Sequence, residues 1–177
     1  MRNFLIVVLI GLGLLTLALV VRSGIFARAN PGRPINSTMR LAMENNGIPE
    51  LSGEDAMLVA QKYTGRHTQP SGLMYVPRRA GEGQLPTVGQ ELLVNYEGRI
   101  LGGEVFDSSY QKGAPFAFRI GVGQVIAGWD EAFLTMRKGE KRTLIVPYWL
   151  AYGIKGKPPN IPGRATLVFE VELLDIR

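Results

Sequence analysis

The chain reads as an α+β protein: an antiparallel β-sheet carrying one short amphipathic α-helix, preceded by an apolar N-terminal segment and a short helical linker. Three observations predict this. Five apolar runs between residues 73 and 174 have the length of strands, and three of them alternate with period 2. One run, residues 129–137, instead places apolar side chains at helical spacing. Residues 4–21 carry no charge at all, so they belong to no amphipathic layer of a soluble fold.

That first run is 18 residues long, flanked by Arg2 and Arg22. As a helix it would measure about 27 Å at ~1.5 Å per residue, close to the ~30 Å hydrocarbon core of a bilayer. A cleaved signal peptide has a shorter apolar core, and the Ala27-Arg28-Ala29 site that could release Asn30 lies far from the run. The expectation is an uncleaved transmembrane anchor over residues 1–22. Loop charges place Arg2 on one side and Arg22, Arg28 and Arg33 on the other, which would hold the main domain inside. The short tail ahead of the run argues for export instead. An extracytoplasmic, periplasmic domain on a single-pass anchor is the expectation.

Residues 23–69 read as a linker with short helices. Pro31, Gly32 and Pro34 break its first part. A helix is expected from about 37 to 45, stopped by Asn46-Gly47. A second starts at Ser52, an N-cap with Asp55 at the third helical position, and ends at Tyr63-Thr64-Gly65.

The main domain is expected over residues 70–177. Strands are expected at 73–76, stopped by Pro77; 91–97, ended by Gly98; 115–120; 141–146; and 166–174. Phe116, Phe118 and Ile120 share one face, as do Leu167, Phe169, Val171 and Leu173. The helix of 129–137 has Asp130 and Glu131 in its first turn, Arg137-Lys138 at its end and Gly139 as a C-cap. Trp129, Phe133 and Met136 form its apolar stripe. A helix on one face of an antiparallel sheet buries both apolar surfaces at once.

Composition removes several functions. The 20 Lys+Arg and 15 Asp+Glu are spread along the chain, with no basic stripe for nucleic acid. Arg78-Arg79, Arg137-Lys138 and Lys141-Arg142 read as solvated turns. There is no cysteine, hence no disulfide or thiolate site, and a single histidine, His67, reads as an exposed linker residue. Ser108 and Ser109 have no base beside them. Gly121-Val122-Gly123 lacks the strand-loop-helix setting of a phosphate loop. No metal ligand set and no cofactor motif is visible.

What remains is a set of segments rich in aromatic and aliphatic side chains with one carboxylate and one phenol: residues 106–109, 125–130 and 150–153. A site made from them suits a reaction that rotates a bond without breaking one. Each residue also has a plainer reading. Phe116, Phe118, Phe169 and Trp129 could be core, Asp107 an Asx-turn residue and Tyr152 a strand-end tyrosine.

Taken together, Tyr96-Glu97-Gly98, Phe106-Asp107-Ser108-Ser109, Val125-Ile126-Ala127-Gly128-Trp129, Leu150-Ala151-Tyr152-Gly153 and residues 165–173 resemble the FKBP-type peptidyl-prolyl cis–trans isomerases. The likeness runs in order from about Pro70 to Arg177. The lead-in at residues 70–75 is similar to the bacterial branch that includes the macrophage infectivity potentiators. The resemblance implies a bent sheet wrapped around the helix and a rotamase pocket that needs no cofactor. In that pocket Trp129 would be the floor, and Tyr96, Phe106 and Phe169 the walls. Phe116, Val125 and Ile161 would complete it, with Asp107 as an electrostatic element. The Ile126 N–H and Tyr152 hydroxyl would bind ligand carbonyls. It further implies proline-containing polypeptides as substrates, macrolide immunosuppressants as inhibitors and a role in protein folding. A non-catalytic Pro-peptide-binding or chaperone module on the membrane is the alternative. Trp149 stands where the family often has an acidic residue, Gly102-Gly103 replaces the more usual Asp-Gly turn, and the loop of 155–162 is unusually basic and proline-rich.

Overall fold

A computed structural model describes residues 50–177. The expected anchor, the linker up to residue 49 and the expected helix of 37–45 lie outside the described residues. Among those described, no helix is long and apolar enough to cross a membrane.

The described chain begins with α1 (Gly53–Lys62). Ser52 caps it as expected, its Oγ accepting the Asp55 N–H at 3.0 Å. Then come β1 (His67–Thr68), β2 (Met74–Arg79), β3 (Glu91–Ile100), β4 (Val105–Ser108), α2 (Ser109–Lys112), β5 (Phe116–Arg119), α3 (Ala127–Phe133), β6 (Lys141–Val146) and β7 (Leu167–Ile176). A 3-10 turn, Tyr148–Leu150, lies between the last two strands. The sheet runs β1-β2-β6-β7-β3-β4, with β5 also paired to β3, and every pairing is antiparallel.

The period-2 pattern puts two cores on the two faces of this sheet. On one face, Leu144, Val146, Leu167, Phe169, Val171 and Leu173 pack against Trp129, Phe133 and Met136. On the other, Ile145 and Val168 join Met74, Val76 and Leu101 under Val59 of α1, which is 1% exposed. Both faces of β6 are therefore covered, and all its residues after Lys141 are buried.

Four expectations are corrected. β2 does not stop at Pro77. β1 covers only its Met74–Tyr75 end, so Pro77 sits where no neighbour on that side needs an N–H, beside a register shift against β6. β3 does not end at Gly98, which pairs with both Asp107 and Phe169 inside the strand.

The third correction concerns α3, which starts two residues early and stops four short of the expected end. Thr135 and Met136 turn back on Ala132 and Phe133 in short i→i+3 bonds, and the Arg142 guanidinium donates to the freed Thr135 carbonyl at 2.7 Å. Gly139 is no helix cap: at φ +82° it leads into β6 and donates to the Leu173 carbonyl. Fourth, Arg142 is not solvated. It is 6% exposed, paired with Glu140 and stacked 4.3 Å over the Tyr75 ring. His67 is exposed as expected, stacked on Tyr75.

Candidate functional site

The site is built on α3. Gly128 lets this helix settle onto the sheet, because a Cβ there would come within 2.5 Å of the Val146 side chain. The next residue, Trp129, is 4% exposed and forms the centre of an aromatic cluster. Its ring meets Tyr96 of β3 at 5.1 Å and Phe169 of β7 at 5.3 Å between centroids, both edge-on at interplanar angles near 80°. Phe106 of β4 stands edge-on to Phe169 at 5.9 Å. Gly98 makes room for that pair, since a Cβ there would lie 2.6 Å from the Phe169 ring and 3.0 Å from Phe106.

These rings enclose an open cleft of about 990 Å3. Trp129, Tyr96, Phe106, Phe169, Phe116, Val125, Ile126, Asp107 and Tyr152 all line it, so nine of the ten expected site residues come together. Phe116 is at the rim, 41% exposed and edge-on to Tyr96. Ile161 does not line the cleft. It is buried in the core and bonded through its backbone to Lys157, whose side chain does line the cleft.

The polar groups around Asp107 are placed by tertiary contacts. Ser108 accepts the Gln111 N–H as the cap of α2, and Ser109 Oγ accepts the Tyr96 N–H at 2.9 Å. The two serines thus fix the turn and the strand, as their lack of a base led one to expect. Asp107 accepts the Tyr96 hydroxyl at 2.8 Å and pairs with Lys112 Nζ at 2.5 Å. Lys112 also donates to the Tyr96 oxygen at 3.1 Å. Burial pushes the Asp107 carboxyl up, but the hydrogen bonds from Lys112 and Tyr96, with the lysine's charge, outweigh it and hold the group below the usual carboxylate range. Burial, followed by the negative charge of Asp107, pushes the Tyr152 phenol up. Asp107 is therefore a fixed carboxylate and Tyr152 a fixed neutral hydroxyl at physiological pH.

Three of the donors on cleft-lining residues lack a partner among the described residues: the Ile126 N–H, the Tyr152 hydroxyl and the Trp129 indole N–H. Ile126 ends the loop before α3, its own carbonyl taken by the Trp129 and Asp130 N–H groups. Asp130 shapes that loop by accepting from the Gly121 and Gly123 N–H groups at 2.8 and 3.0 Å. Unpaired donors among apolar walls are what an amide-bearing ligand would satisfy.

Lys112 was not legible as a site residue. The signal lay in Asp107 itself, since a carboxylate among aromatic rings needs a cation, and the next basic residue is five positions on. Trp149, by contrast, belongs to the scaffold. Its indole donates to the Ser71 carbonyl at 2.8 Å and lies against Gly72, which at φ +92° leaves no room for a Cβ.

Comparison with known proteins agrees with this geometry. Residues 82–174, a little over half of the chain, match the family model described as FKBP-type peptidyl-prolyl cis-trans isomerase. The human protein Peptidyl-prolyl cis-trans isomerase FKBP2 is 54% identical over 88 residues, 50% of this chain and 62% of its own length. FK506-binding protein 4 of Dictyostelium discoideum is 48% identical over 107 residues, 60% of this chain and 29% of its own. FkpA of Escherichia coli (strain K12), an FKBP-type peptidyl-prolyl cis-trans isomerase, is 38% identical over 144 residues, 81% of this chain and 52% of its own. The chain thus spans less than two thirds of the length of each of these relatives. The crystal structure of AtFKBP13 superposes with a TM-score of 0.61 at 39% identity, covering 63% of this chain and 98% of that one.

Proposed function

Since the chain belongs to the FKBP-type peptidyl-prolyl cis–trans isomerase family, we propose that it accelerates rotation about X–Pro bonds in polypeptide substrates. The observation that carries this reading is the aromatic cleft over Trp129 with three unpaired donors and no serine, cysteine or histidine among its lining side chains. Uncatalysed rotation faces a barrier of ~18–20 kcal/mol, because the amide loses its resonance at the half-turn. The planar amide is strongly dipolar; the twisted one has a less polarised carbonyl. A cleft walled by Trp129, Tyr96, Phe106 and Phe169 solvates the planar form worse than water does, and so narrows the gap to the twisted form. The Ile126 N–H and Tyr152 hydroxyl would hold the flanking carbonyls while the proline ring rests on Trp129. Only interactions stronger in the twisted state raise the rate, each ~1.4 kcal/mol of preference giving a tenfold gain.

Asp107 does no proton transfer in this scheme. Held ionised by Lys112 and Tyr96, it sets the field on the substrate carbonyl and keeps Tyr96 in place as a wall. Macrolide immunosuppressants would occupy the same cleft as inhibitors. The stretch of 4–21 supports single-pass anchoring with the catalytic domain extracytoplasmic, acting on exported chains. The length of the alignment to FkpA supports placement in the bacterial branch. The deciding measurement is the cis-to-trans rate of proline-containing tetrapeptides with and without the protein. A catalysed rate abolished by a macrolide supports the reading; macrolide binding without any acceleration would leave only a Pro-peptide-binding module.

A further inference from the structure

The geometry points to Lys157 as a specificity residue that favours substrates with a carboxylate on the residue directly before or after the proline. This deepens the isomerase reading and rests on it. Lys157 lines the cleft, and its Nζ lies 5.4 Å from the centroid of the Tyr152 ring. Among the described residues it takes part in no ion pair. The only other lysine lining the cleft, Lys112, is committed to Asp107. Beside Tyr152, then, Asp107 and Lys112 pair with each other, and Lys157 has no carboxylate of its own. Two further carboxylates line the cleft, and neither forms an ion pair among the described residues. Asp130 is bound to the Gly121 and Gly123 amides, and Glu131 accepts from Ser71 at 2.8 Å.

The platform that carries Lys157 is fixed. Its N–H donates to the Ile161 carbonyl at 2.8 Å, and the Ile161 N–H returns to the Lys157 carbonyl at 3.0 Å. Ile161 is itself 3% exposed, so the bridge is rooted in the core. Gly156, at φ +68°, permits the tight loop, because a Cβ there would overlap the Ile161 and Pro162 carbonyls. The loop backbone is thus pinned beside the cleft, while the ammonium rests on the ring of the residue whose hydroxyl is free for substrate. An extended peptide advances about 3.3–3.6 Å per residue, so the residues flanking a proline seated on Trp129 run along the cleft whose lining Lys157 and Trp129 share. The same cation disfavours a lysine there. This preference is carried by a charge in the rim and is separate from the apolar contacts that hold the proline ring.

The test compares kcat/KM of the full-length protein in detergent micelles on peptides Ala-X-Pro-Z, with Glu, Gln or Lys at X or at Z. Rates are read by NMR exchange, so that no protease preference enters. At low salt, Glu should exceed Gln by about threefold at one of the two positions, with Lys below both, as expected for one exposed ion pair. The ratio should shrink toward one at about 0.5 M NaCl. Lys157→Gln should remove the ratio, while Lys155→Gln, which alters a neighbouring exposed lysine outside the cleft, should keep it. A Glu:Gln ratio near one in the unmodified protein, or a ratio that survives Lys157→Gln, overturns the assignment while leaving the isomerase reading intact. Absence of catalysis on every peptide removes both.

Discussion

The Asp107–Lys112 pair decides what kind of electrostatic element the cleft holds. A lone carboxylate among rings would be driven toward its neutral form by burial. Here the lysine reverses that outcome, so the folded pKa lies below the ordinary value. The carboxylate is then fully charged from pH 5 to 8, and kcat/KM should be flat across that range as far as Asp107 is concerned. Lys112→Met removes the chief opposing cause and leaves burial against the hydrogen bonds from the Tyr96 hydroxyl and the Ser108 backbone. The pKa must rise, so the variant's activity should begin to fall at a higher pH than the unmodified protein's as acid is added. Paired pH–rate profiles check this; superimposable acid limbs would show that Lys112 does not govern Asp107. Asp107→Asn keeps the shape and removes the charge, and should lower kcat/KM by about tenfold, ~1.4 kcal/mol, with the unfolding midpoint little changed. Trp129 is both floor and core. Trp129→Ala should abolish macrolide binding and cost about 3–5 kcal/mol of stability, so Trp129→Phe is the discriminating variant. It should fold near normally by urea titration while losing most inhibitor affinity by calorimetry.

At the level of elements, much of the fold was legible because period 2 and period 3.6 are physical signatures of strand and helix. Phe169 and Trp129 fall on inward faces from the sequence alone, since their neighbours at i+2 and i+4 are apolar too. What was not legible arose from partners distant in sequence. The end of α3 is set by Arg142, and β2 runs past Pro77 because β1 is only two residues long. Four-residue α2 has no periodicity that would mark its lysine. The docking of α1 had one visible cue: Ile145 and Val168 are apolar on the face opposite Leu144 and Phe169, and a sheet apolar on both faces needs a second cover. α1 supplies it through Val59, tied down by the Thr166 hydroxyl donating to Asp55 at 2.5 Å. No residue of α1 lines the cleft. Val59→Ala should therefore lower stability by roughly 2 kcal/mol in urea unfolding and leave kcat/KM unchanged. A variant that lost activity without losing stability would show that α1 communicates with the cleft.

At the scale of the whole molecule, the open question is where this cleft operates, and the apolar stretch of 4–21 gives the testable answer. Its uncharged residues amount to nearly a full hydrocarbon span as a helix, and Arg2 and Arg22 would sit at the two headgroup regions. Placing an arginine at the centre of a span costs about 2.5–3.5 kcal/mol on insertion scales, so an interior free of charge is what anchoring requires. The remaining net charge is modest: residues 69–177 carry 13 Lys+Arg against 11 Asp+Glu, too balanced to bind an anionic surface by electrostatics alone. Any membrane association of the full-length protein should therefore be hydrophobic. It should survive high salt and carbonate extraction and yield only to detergent, whereas a chain starting near Ser37 should be recovered in the soluble fraction. A cleaved signal peptide predicts something different: mature protein beginning near Asn30, soluble outside the cytoplasm. N-terminal sequencing of the protein purified from its native cells separates the two. A start at Asn30 would sink the anchor and leave the isomerase chemistry of the cleft untouched, because no residue before Val88 contributes to its walls.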